Sequence, residues 1–405
     1  GQTIRHDYDK LGRKVSQKSF VGSSLKSQQT YSFDTNFVGL PYQRVSDGVV
    51  KTFNYTAKGQ LSRSQLNIDG NTFTTDYAYD GNYGRLKSTR YPNTFTLEQQ
   101  YNSYGYPKQL LNESSDYVYQ QIDSMDDFFN VTQSTLGNGV IEHAVYDEMT
   151  GLVDSISAKM GSNTIHNLSY LGGYDDFGNL LNAYNLVTSA EESYTYDNLH
   201  RLKTSTYSGW GGSDTINYAY DEVGNIQSKS DYASQYRYGN ANRSAGGNAG
   251  SNAVRQVVKA NGSLANLSYD NMGNLVSGDG ISAVYNSFKQ PTKIVRNGTT
   301  FNFTYDADLQ RVKEERGSLK TFEIDQVYEK RSDGSWTLHI GGVAMLNYNT
   351  TNGHSLLYRH KDRMGSAVTF SDSNGIVGQN GRRFFDPFGK PRDPNGSSLA
   401  VSRLP

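Results

Sequence analysis

The sequence predicts an all-β protein, a long antiparallel sheet of repeated β-hairpins that winds on itself. A Tyr-Asp phrase returns along most of the chain, and alternating aromatic residues lead into several of its copies. The composition is polar and aromatic, which suits a sheet that is wetted on at least one face. Helix-type spacing of apolar residues is nearly absent.

The composition argues against both a dense core and disorder. The 405 residues include 31 Tyr, 17 Phe and 41 Gly. Hydrophobic residues make up 35% of the chain, and about 37% when Gly replaces Tyr in the count, against roughly 45–50% in ordinary globular domains. Disordered chains have few aromatic residues and a high net charge, whereas here aromatics are 12% and the net charge is -1. The apolar surface is therefore aromatic and thinly spread.

The charge balance and the missing residue types exclude several classes. With 39 Lys+Arg against 40 Asp+Glu, the chain lacks the basic field that attracts nucleic acid. The absence of Cys excludes disulfides and Cys-ligated zinc. No run approaches the ~18 apolar residues of a membrane helix, and Gly1-Gln2-Thr3 leads into strand-like sequence without a signal peptide. We expect no nucleic acid partner, no membrane span, and a segment of a longer polypeptide.

The repeated phrase is Tyr-Asp, two variable residues, Gly, then Arg or Asn, then an aliphatic residue. Its Tyr-Asp pairs are Tyr8 and Asp9, Tyr79 and Asp80, Tyr146 and Asp147, Tyr174 and Asp175, Tyr196 and Asp197, Tyr220 and Asp221, Tyr269 and Asp270, and Tyr305 and Asp306. The turn glycines are Gly12, Gly84, Gly151, Gly178, Gly224 and Gly273, and weaker copies begin at Tyr55, Tyr101 and Met125. Starts between Tyr55 and Tyr220 lie 21 to 28 residues apart, which is room for two strands and two turns.

Each copy has the local chemistry of a hairpin. Residues before the Tyr-Asp pair alternate, so Phe73, Tyr77 and Tyr79 share one face of a strand. The Asp accepts backbone N–H groups across a turn, and Gly adopts the positive φ that the turn requires. His200 stands at the Gly position of one copy, where a left-handed conformation is tolerable. Stacked in register, the rings of successive hairpins are expected to form aromatic ladders worth roughly 0.5–1.5 kcal/mol per pair.

Two glycine-rich stretches interrupt the regular spacing. They cover residues 208–213 and 239–252. Within a repeat array, such stretches indicate long hairpin loops more readily than domain boundaries.

The repeats resemble those of the YD-repeat, or Rhs, family, which includes the C components of bacterial insecticidal toxin complexes and the YD shell of teneurins. The segment that starts at Tyr358 strengthens the resemblance. It is similar to the family's core signature in Asp362, Met364, Gly365, Ser366, Asp372, Gly375, Asp386, Pro387, Phe388 and Gly389. One YD phrase alone would be a weak match, whereas eight copies followed by this signature are a specific one.

The resemblance implies a large hollow β shell, built from a spiralling strip of hairpins, that encloses a C-terminal polypeptide, usually a toxin. It divides the chain into a hairpin array at 1–320 and a core-associated region at 321–405, which ends before the family's aspartyl autoproteolysis segment. The implied function is structural: to sequester and deliver a C-terminal toxic domain in interbacterial competition.

The resemblance also implies partners and a location. The partners are the enclosed toxin domain and a secretion apparatus or an N-terminal shell partner. The protein is then secreted or displayed on the cell surface after export from a bacterium. It is expected not to be an enzyme and to need no cofactor.

Two other functions stay open. One is a cell-surface module whose Tyr and Trp rows bind carbohydrate or a receptor protein. The other is an enzyme that uses repeat carboxylates, as glycoside hydrolases do, although a shared turn-capping role explains every copy of the Asp. Asp-Phe-Gly at 176–178 spells a kinase motif but lies in a repeat turn, without the other kinase motifs.

Three smaller groups of residues could form binding sites, but each also has a purely structural explanation. His354 and His360 are candidate metal ligands if they meet across a loop. Asp306 and Asp308 have calcium-like spacing without the rest of an EF-hand loop. A basic cluster suggests a grip on an acidic partner, or simply a surface or lumen-facing patch; it comprises Arg382, Arg383, Lys390 and Arg392. We assign no catalytic, cofactor or metal residue.

Overall fold

The protein consists of antiparallel β-strands joined by tight turns. The computed structural model describes residues 2–209, 212–239 and 249–392. Within these ranges there is no helix, and 37 strands form two long sheets and one short hairpin. The ranges also contain no helix that is long and apolar enough to cross a membrane. The predicted all-β hairpin fold is confirmed.

The first sheet contains 23 strands. They are β1 (Gln2–Tyr8), β2 (Lys14–Val21), β3 (Ser24–Phe33), β4 (Pro41–Ser46), β5 (Val49–Tyr55), β6 (Leu61–Ile68), β7 (Asn71–Tyr79), β8 (Leu86–Arg90), β9 (Thr96–Tyr101), β10 (Pro107–Asn112), β11 (Val118–Met125), β12 (Val131–Leu136), β13 (Ile141–Tyr146), β14 (Val153–Met160), β15 (Asn163–Ser169), β16 (Asn182–Asn185), β17 (Ala190–Tyr196), β18 (Leu202–Gly209), β19 (Gly212–Tyr220), β20 (Ile226–Lys229), β21 (Ala233–Tyr238), β22 (Val254–Lys259) and β23 (Leu264–Asn266).

The second sheet contains 12 strands and is followed by a two-stranded hairpin. The 12 strands are β24 (Ser268–Tyr269), β25 (Leu275–Gly278), β26 (Ile281–Tyr285), β27 (Pro291–Arg296), β28 (Thr299–Tyr305), β29 (Arg311–Arg316), β30 (Leu319–Ile324), β31 (Tyr328–Arg331), β32 (Trp336–Ile340), β33 (Ala344–Asn349), β34 (Gly353–Lys361) and β35 (Ala367–Ser371). The hairpin pairs β36 (Phe384–Phe385) with β37 (Pro391–Arg392).

Strands that are neighbours in the chain are neighbours in the sheet. β1 pairs with β2, β2 with β3, and so on through each sheet, always antiparallel. Only Leu267 separates β23 from β24. The two sheets are therefore successive parts of one strip of hairpins, because a hairpin is the shortest way to connect antiparallel strands.

The strip has two different edges, because each strand turns at both of its ends. One edge carries the Tyr-Asp turns, and we call it the repeat-turn edge. The opposite edge carries turns without that phrase, such as Asp69–Gly70, and we call it the plain-turn edge. Asp69 and Gly70 have φ of 49° and 74°, the positive values that a two-residue hairpin turn favours.

The strip lies against itself along a seam. Strands β1–β23 form a first pass and β24–β37 a second pass, and the repeat-turn edge of the second contacts the plain-turn edge of the first. Lys51 pairs with Asp325 across this seam at 2.7 Å. Tyr91 donates its hydroxyl to the His339 carbonyl at 2.9 Å. The predicted winding of the sheet on itself is thus observed as a contact between opposite edges.

The largest apolar cluster lies in the seam. Leu66 and Phe73 of the first pass are 2% and 4% exposed, and Phe322 and Ile324 of the second are 6% and 1% exposed. The ring centroids of Phe73 and Phe322 are 5.5 Å apart. The sequence indicated thinly spread apolar surface, but the structure concentrates it where the two passes exclude water from each other.

The second pass is tighter than the first. Gln2 of β1 donates its side-chain amide to the Ser287 carbonyl at 2.7 Å, and Lys229 of β20 pairs with Asp386 at 2.9 Å. Residues 287–386 of the second pass therefore run beside residues 2–229 of the first. Between the same two points of the seam, the second pass uses fewer than half as many residues as the first. The circumference of the strip decreases as it winds.

Both predicted loops join paired strands, but the prediction of a long loop at 208–213 is wrong, because Ser208, Gly209, Gly212 and Ser213 lie within the strands and only two residues separate them. β18 pairs with β19 as far as Gly209 and Gly212, and β21 pairs with β22 as far as Tyr238 and Val254. Residues 210–211 and 240–248 of these loops lie outside the described ranges, as do residues 393–405 of the predicted core-associated region. The predicted domain boundary at residue 320 falls within β30, and the division stays a prediction.

Candidate functional site

The repeat turn has one geometry, which Asp175 illustrates. Its Oδ1 accepts the N–H groups of Phe177 at 2.9 Å and Asn179 at 2.8 Å. Its Oδ2 accepts Nδ2 of Asn179 at 2.8 Å. Gly178 closes the turn with φ of 79°, a conformation that Gly adopts without a steric cost. The other predicted capping residues make equivalent bonds: Asp9, Asp80, Asp147, Asp197, Asp221, Asp270 and Asp306.

Three repeats use Arg where Asn179 stands. Nε of Arg13, Arg85 and Arg201 donates to Oδ2 of its turn Asp at 2.7, 2.8 and 2.7 Å. The Arg85 hydrogen bond is the largest cause that lowers the pKa of Asp80, to about 2. Such a carboxylate is ionised at neutral pH and saturated with donors, so it is poorly suited to act as a general acid.

The C-terminal signature consists of further turns of the same kind. Oδ1 of Asp362 accepts the N–H groups of Met364 and Ser366 at 2.8 and 2.9 Å. Oδ1 of Asp386 accepts those of Phe388 and Lys390 at 2.9 and 2.8 Å. The signature residues Gly365 and Gly389 have φ of 83° and 81°, and Pro387 lies within the second turn. The Asp-x-x-Gly spacing shared with Asp175 to Gly178 is the signal that sequence reasoning overlooked.

Hydroxyl groups of the repeat tyrosines join successive hairpins. The Tyr196 hydroxyl donates to the Leu180 carbonyl at 2.8 Å, and Leu180 is the aliphatic residue that ends the preceding phrase. At least eight tyrosines make the equivalent bond, at 2.6 to 3.0 Å: Tyr55, Tyr79, Tyr101, Tyr174, Tyr196, Tyr238, Tyr269 and Tyr305. Sequence reasoning missed these bonds because nothing in the phrase identifies their acceptor.

The expected ring contacts between successive repeats occur at some turns, as where Tyr106 stacks on Phe129 with centroids 4.6 Å apart. Other repeats use a different contact. The guanidinium groups of Arg13, Arg85 and Arg201 lie over Phe33, Tyr101 and Tyr220 of the next hairpin, at 4.4, 4.3 and 4.8 Å from the ring centroids. Each such Arg therefore holds its own turn through Asp and contacts the next hairpin through its face. A planar cation suits this double role.

The candidate metal ligands do not come together in the structure. His354 and His360 lie on one strand, β34; His354 packs on Tyr348 with centroids 4.9 Å apart, and His360 is buried in the seam. The Asp308 carboxylate pairs with Arg44 rather than joining Asp306 in a calcium site. In the described ranges, no three His, Asp or Glu side chains are grouped as metal ligands.

The basic cluster is likewise divided among separate contacts. Arg392 is 5% exposed and pairs with Glu192. Lys390 lies 3.4 Å from Asp231. Arg382 donates to the Ile165 carbonyl at 2.9 Å, and Arg383 lies over Phe370. Three of these four side chains bind residues of the first pass, so they attach the end of the second pass to the first.

A polar network crosses the seam. Nδ1 of His360 lies 2.8 Å from Oε1 of Glu142, and its Nε2 lies 2.8 Å from Oγ of Ser371. These three residues stand in the order of acid, base and nucleophile in a hydrolase triad. Ser371 is 0% exposed, however, so no substrate can reach its hydroxyl. The network therefore joins the passes rather than forming an active site.

An open cavity of about 610 Å³ lies beside the signature turns. Tyr194 and Tyr196 line one side, and Asp362 and Asp386 line another. Both carboxylates already cap turns, so the cavity contains no spare acid from the signature.

These features define a class: a strip of YD-repeat hairpins wound in two passes and joined edge to edge. No protein-family model matches the sequence, and no curated protein matches it. Solved structures do match. The crystal structure of TcdB2-TccC3 is similar with a TM-score of 0.76 at 14% identity, over 99% of this chain and 24% of that chain. The predicted relationship to YD-repeat shells is confirmed at the level of the fold.

Two further structures agree. The crystal structure of TcdB2-TccC3-TEV has a TM-score of 0.75 at 15% identity, over 99% of this chain and 23% of that chain. The Tc holotoxin pore of Photorhabdus luminescens with the TccC3-D651A mutation has a TM-score of 0.74 at 15% identity, over 96% of this chain and 22% of that chain. This chain thus spans about a quarter of the length of the solved structures that it matches.

Proposed function

We propose that this chain is a wall segment of a hollow β shell that sequesters a C-terminal toxic domain and takes part in its delivery. The observation that carries the proposal is the winding of one hairpin strip into two edge-joined passes of decreasing circumference. Continued winding of this kind is how a single sheet can come to surround a volume, and the fold is similar to that of TcdB2-TccC3.

The chemistry of the repeats supports a structural role. Each capping Asp is satisfied by backbone N–H groups of its own turn, and the shared bonding leaves no copy free for acid–base work. The triad-like network is closed to substrate. A container needs uniform walls rather than one exceptional residue.

The rival function is binding of carbohydrate or a receptor through the Tyr rows. Tyr79 and Tyr196, like most of the repeat tyrosines, are half-buried and use their hydroxyls on neighbouring carbonyls, so they are poorly placed as ligand platforms. Specific binding on a glycan array that is lost when Tyr196 becomes Ala but kept in Tyr196→Phe would favour this rival.

Location and partners follow from the container role. We infer export from a bacterium, an enclosed toxin as cargo, and a shell partner or secretion apparatus that completes or carries the particle. Residues 321–392 of the predicted core-associated region then form the tighter end of the wall.

Electron cryo-microscopy of the natural full-length polypeptide tests the container role. We expect a particle with an internal cavity that holds extra density. A solid particle of the same mass would rule the proposal out.

Protection of the cargo from protease provides a second test. Gly341→Arg should open the seam and expose the cargo, because even a Cβ at this position would lie 2.3 Å from Leu110 Cδ2. Gly317→Arg is the matched control, since Gly317 also has positive φ but has no atom within 4 Å of the same position. Equal cargo digestion in both variants would count against a sealing role for the seam.

A further inference from the structure

A row of large apolar side chains is exposed along the repeat-turn edge of the first pass. Each lies at the tip of a turn, in most cases two residues after the capping Asp or Asn. Their exposed fractions run from 65% for Leu199 to 95% for Met149. We call this set the apolar row; it comprises Leu11, Val38, Tyr83, Tyr104, Phe128, Met149, Phe177, Leu199 and Val223.

The turns themselves do not require apolar tips. Lys58, Asp308 and Asn374 occupy the corresponding position in other turns and donate the same backbone N–H bond. A polar tip would therefore fold equally well and would be better solvated. A long line of exposed apolar side chains on a polar protein indicates a surface that another molecule covers.

The same edge of the second pass is covered over most of its length, as far as the turn at Val343, and the tips there show what covers it. Val327 and Val343 pack on the apolar cluster of the seam, and Asp308 pairs with Arg44 of the first pass. Phe288 is half-buried. The exceptions are Met364 and Phe388 near the end of the second pass, which are 72% and 56% exposed. The established partner of a repeat-turn edge is thus the plain-turn edge of a neighbouring pass.

A second copy of this chain does not supply a matching surface. The free plain-turn edge of the second pass carries polar turns, with Asn297, Ser318, Asp333 and Asn352 exposed. No large apolar side chain is exposed in those turns. By contrast, the plain-turn edge that forms the seam has apolar residues such as Leu66 and Ile68 beside its turns.

The end of the strip indicates where the partner enters. β1 pairs with β2 on one side, and its other side has no strand among the described residues. A strand row of this kind accepts a further strand by backbone hydrogen bonding. A sheet that enters beside β1 and follows the same winding would place its plain-turn edge against the apolar row.

We propose that the apolar row is the docking edge for a further hairpin sheet, which extends the strip at β1 and presents a plain-turn edge with apolar side chains. The inference rests on the proposed function and deepens it, because it names the surface through which this wall segment joins the rest of the shell. Docking would repeat the seam already formed between the two passes.

Cysteine reactivity measures whether the row is covered. The chain has no Cys, so single cysteines can be placed by Tyr104→Cys and Val223→Cys, where the side chains are 86% and 77% exposed. Asn352→Cys on the free polar edge is the control. Each is labelled with maleimide in the 405-residue chain and in the natural full-length polypeptide, whose other cysteines are replaced by Ser.

We expect labelling at positions 104 and 223 to slow at least about tenfold in the full-length polypeptide, with no change at 352. Unchanged rates at 104 and 223, or equal slowing at 352, would overturn the proposal. Protection that increases with concentration in the 405-residue chain would assign the row to self-association instead and would also overturn it. Protection of 104 and 223 in a particle without a cavity would retain the docking edge while removing the container role.

Discussion

His360 of the second pass stacks on His166 of the first, with ring centroids 6.0 Å apart, and both side chains are 1% exposed. Ala158 lies between Glu142 and His166 in the strand row of β13 to β15. Because the Ala158 side chain is small, His360 can contact both Glu142 and His166. The seam therefore contains two buried imidazoles in contact with each other.

Stability should depend on pH through His166. Burial, followed by the neighbouring His360, lowers the pKa of His166 from 6.5 to about 3. A His whose pKa is lowered by folding gives its full stability above pH 6.5 and loses it as the pH falls from 6.5 toward 3. Urea unfolding should show a loss of about 2 kcal/mol between pH 7.5 and pH 5 from this group.

Two variants isolate that effect. His166→Gln should flatten the pH dependence between 7.5 and 5, because Gln does not titrate. His143→Gln is the control, since His143 is exposed on β13 beside Glu142. The same slope in His166→Gln and in the unaltered protein would show that His166 is not the titrating group.

Asp306 should tolerate loss of its charge. It is 2% exposed, and burial raises its pKa above the ordinary value. Such a carboxyl stabilises the fold at low pH and loses that contribution as the pH rises through its unfolded value toward the folded pKa. Asp306→Asn keeps an Oδ1 for the N–H groups of Asp308 and Gln310, as Asn102 and Asn286 do in their own turns.

Urea unfolding at pH 7.5 should therefore find Asp306→Asn at least as stable as the unaltered protein. Asp306→Ala should lose about 1–3 kcal/mol, because the N–H groups of Asp308 and Gln310 both lose their acceptor. Asp175→Asn is the comparison, since the hydrogen bond from Asn179 lowers the pKa of Asp175 and favours its charge. Greater damage from Asp306→Asn than from Asp175→Asn would contradict this account.

Removal of one tyrosine hydroxyl should weaken the join between two hairpins. Tyr196→Phe deletes the bond to the Leu180 carbonyl, and the expected loss is about 0.5–1.5 kcal/mol. Tyr104→Phe is the control, because Tyr104 is 86% exposed. Thermal or urea unfolding that cannot distinguish the two variants would argue against these bonds as a source of stability.

The seam should be sensitive to one methyl group. Gly341→Ala places a Cβ 2.3 Å from Leu110 Cδ2, whereas Gly317→Ala meets no atom within 4 Å. Both glycines have positive φ, of 54° and 60°, so backbone strain is similar. Gly341→Ala should be less stable than Gly317→Ala by about 1–3 kcal/mol, and Leu110→Ala should relieve part of that difference.

The repeat turns were predictable because their chemistry is local. The Asp175 carboxylate accepts hydrogen bonds from Phe177 and Asn179 of its own turn, and Gly178 adopts its φ within the same turn. The same holds at His200, whose φ of 58° fits the left-handed position predicted for it. The signature turns at Asp362 and Asp386 obey the same local rule, but their resemblance to a family core hid that they are repeats.

By itself, the sequence determined strands, turns, their order and the polar character of the strip, since period-two alternation and turn residues act over a few positions. Only the tertiary structure decided which edges meet, because contacts such as Lys51 with Asp325 join residues 274 apart in the chain. The physical reason is curvature: small twists between neighbouring strands accumulate over the strip. The accumulated twist decides which turn of the second pass comes to lie against a given turn of the first, and so which side chains are shielded from water.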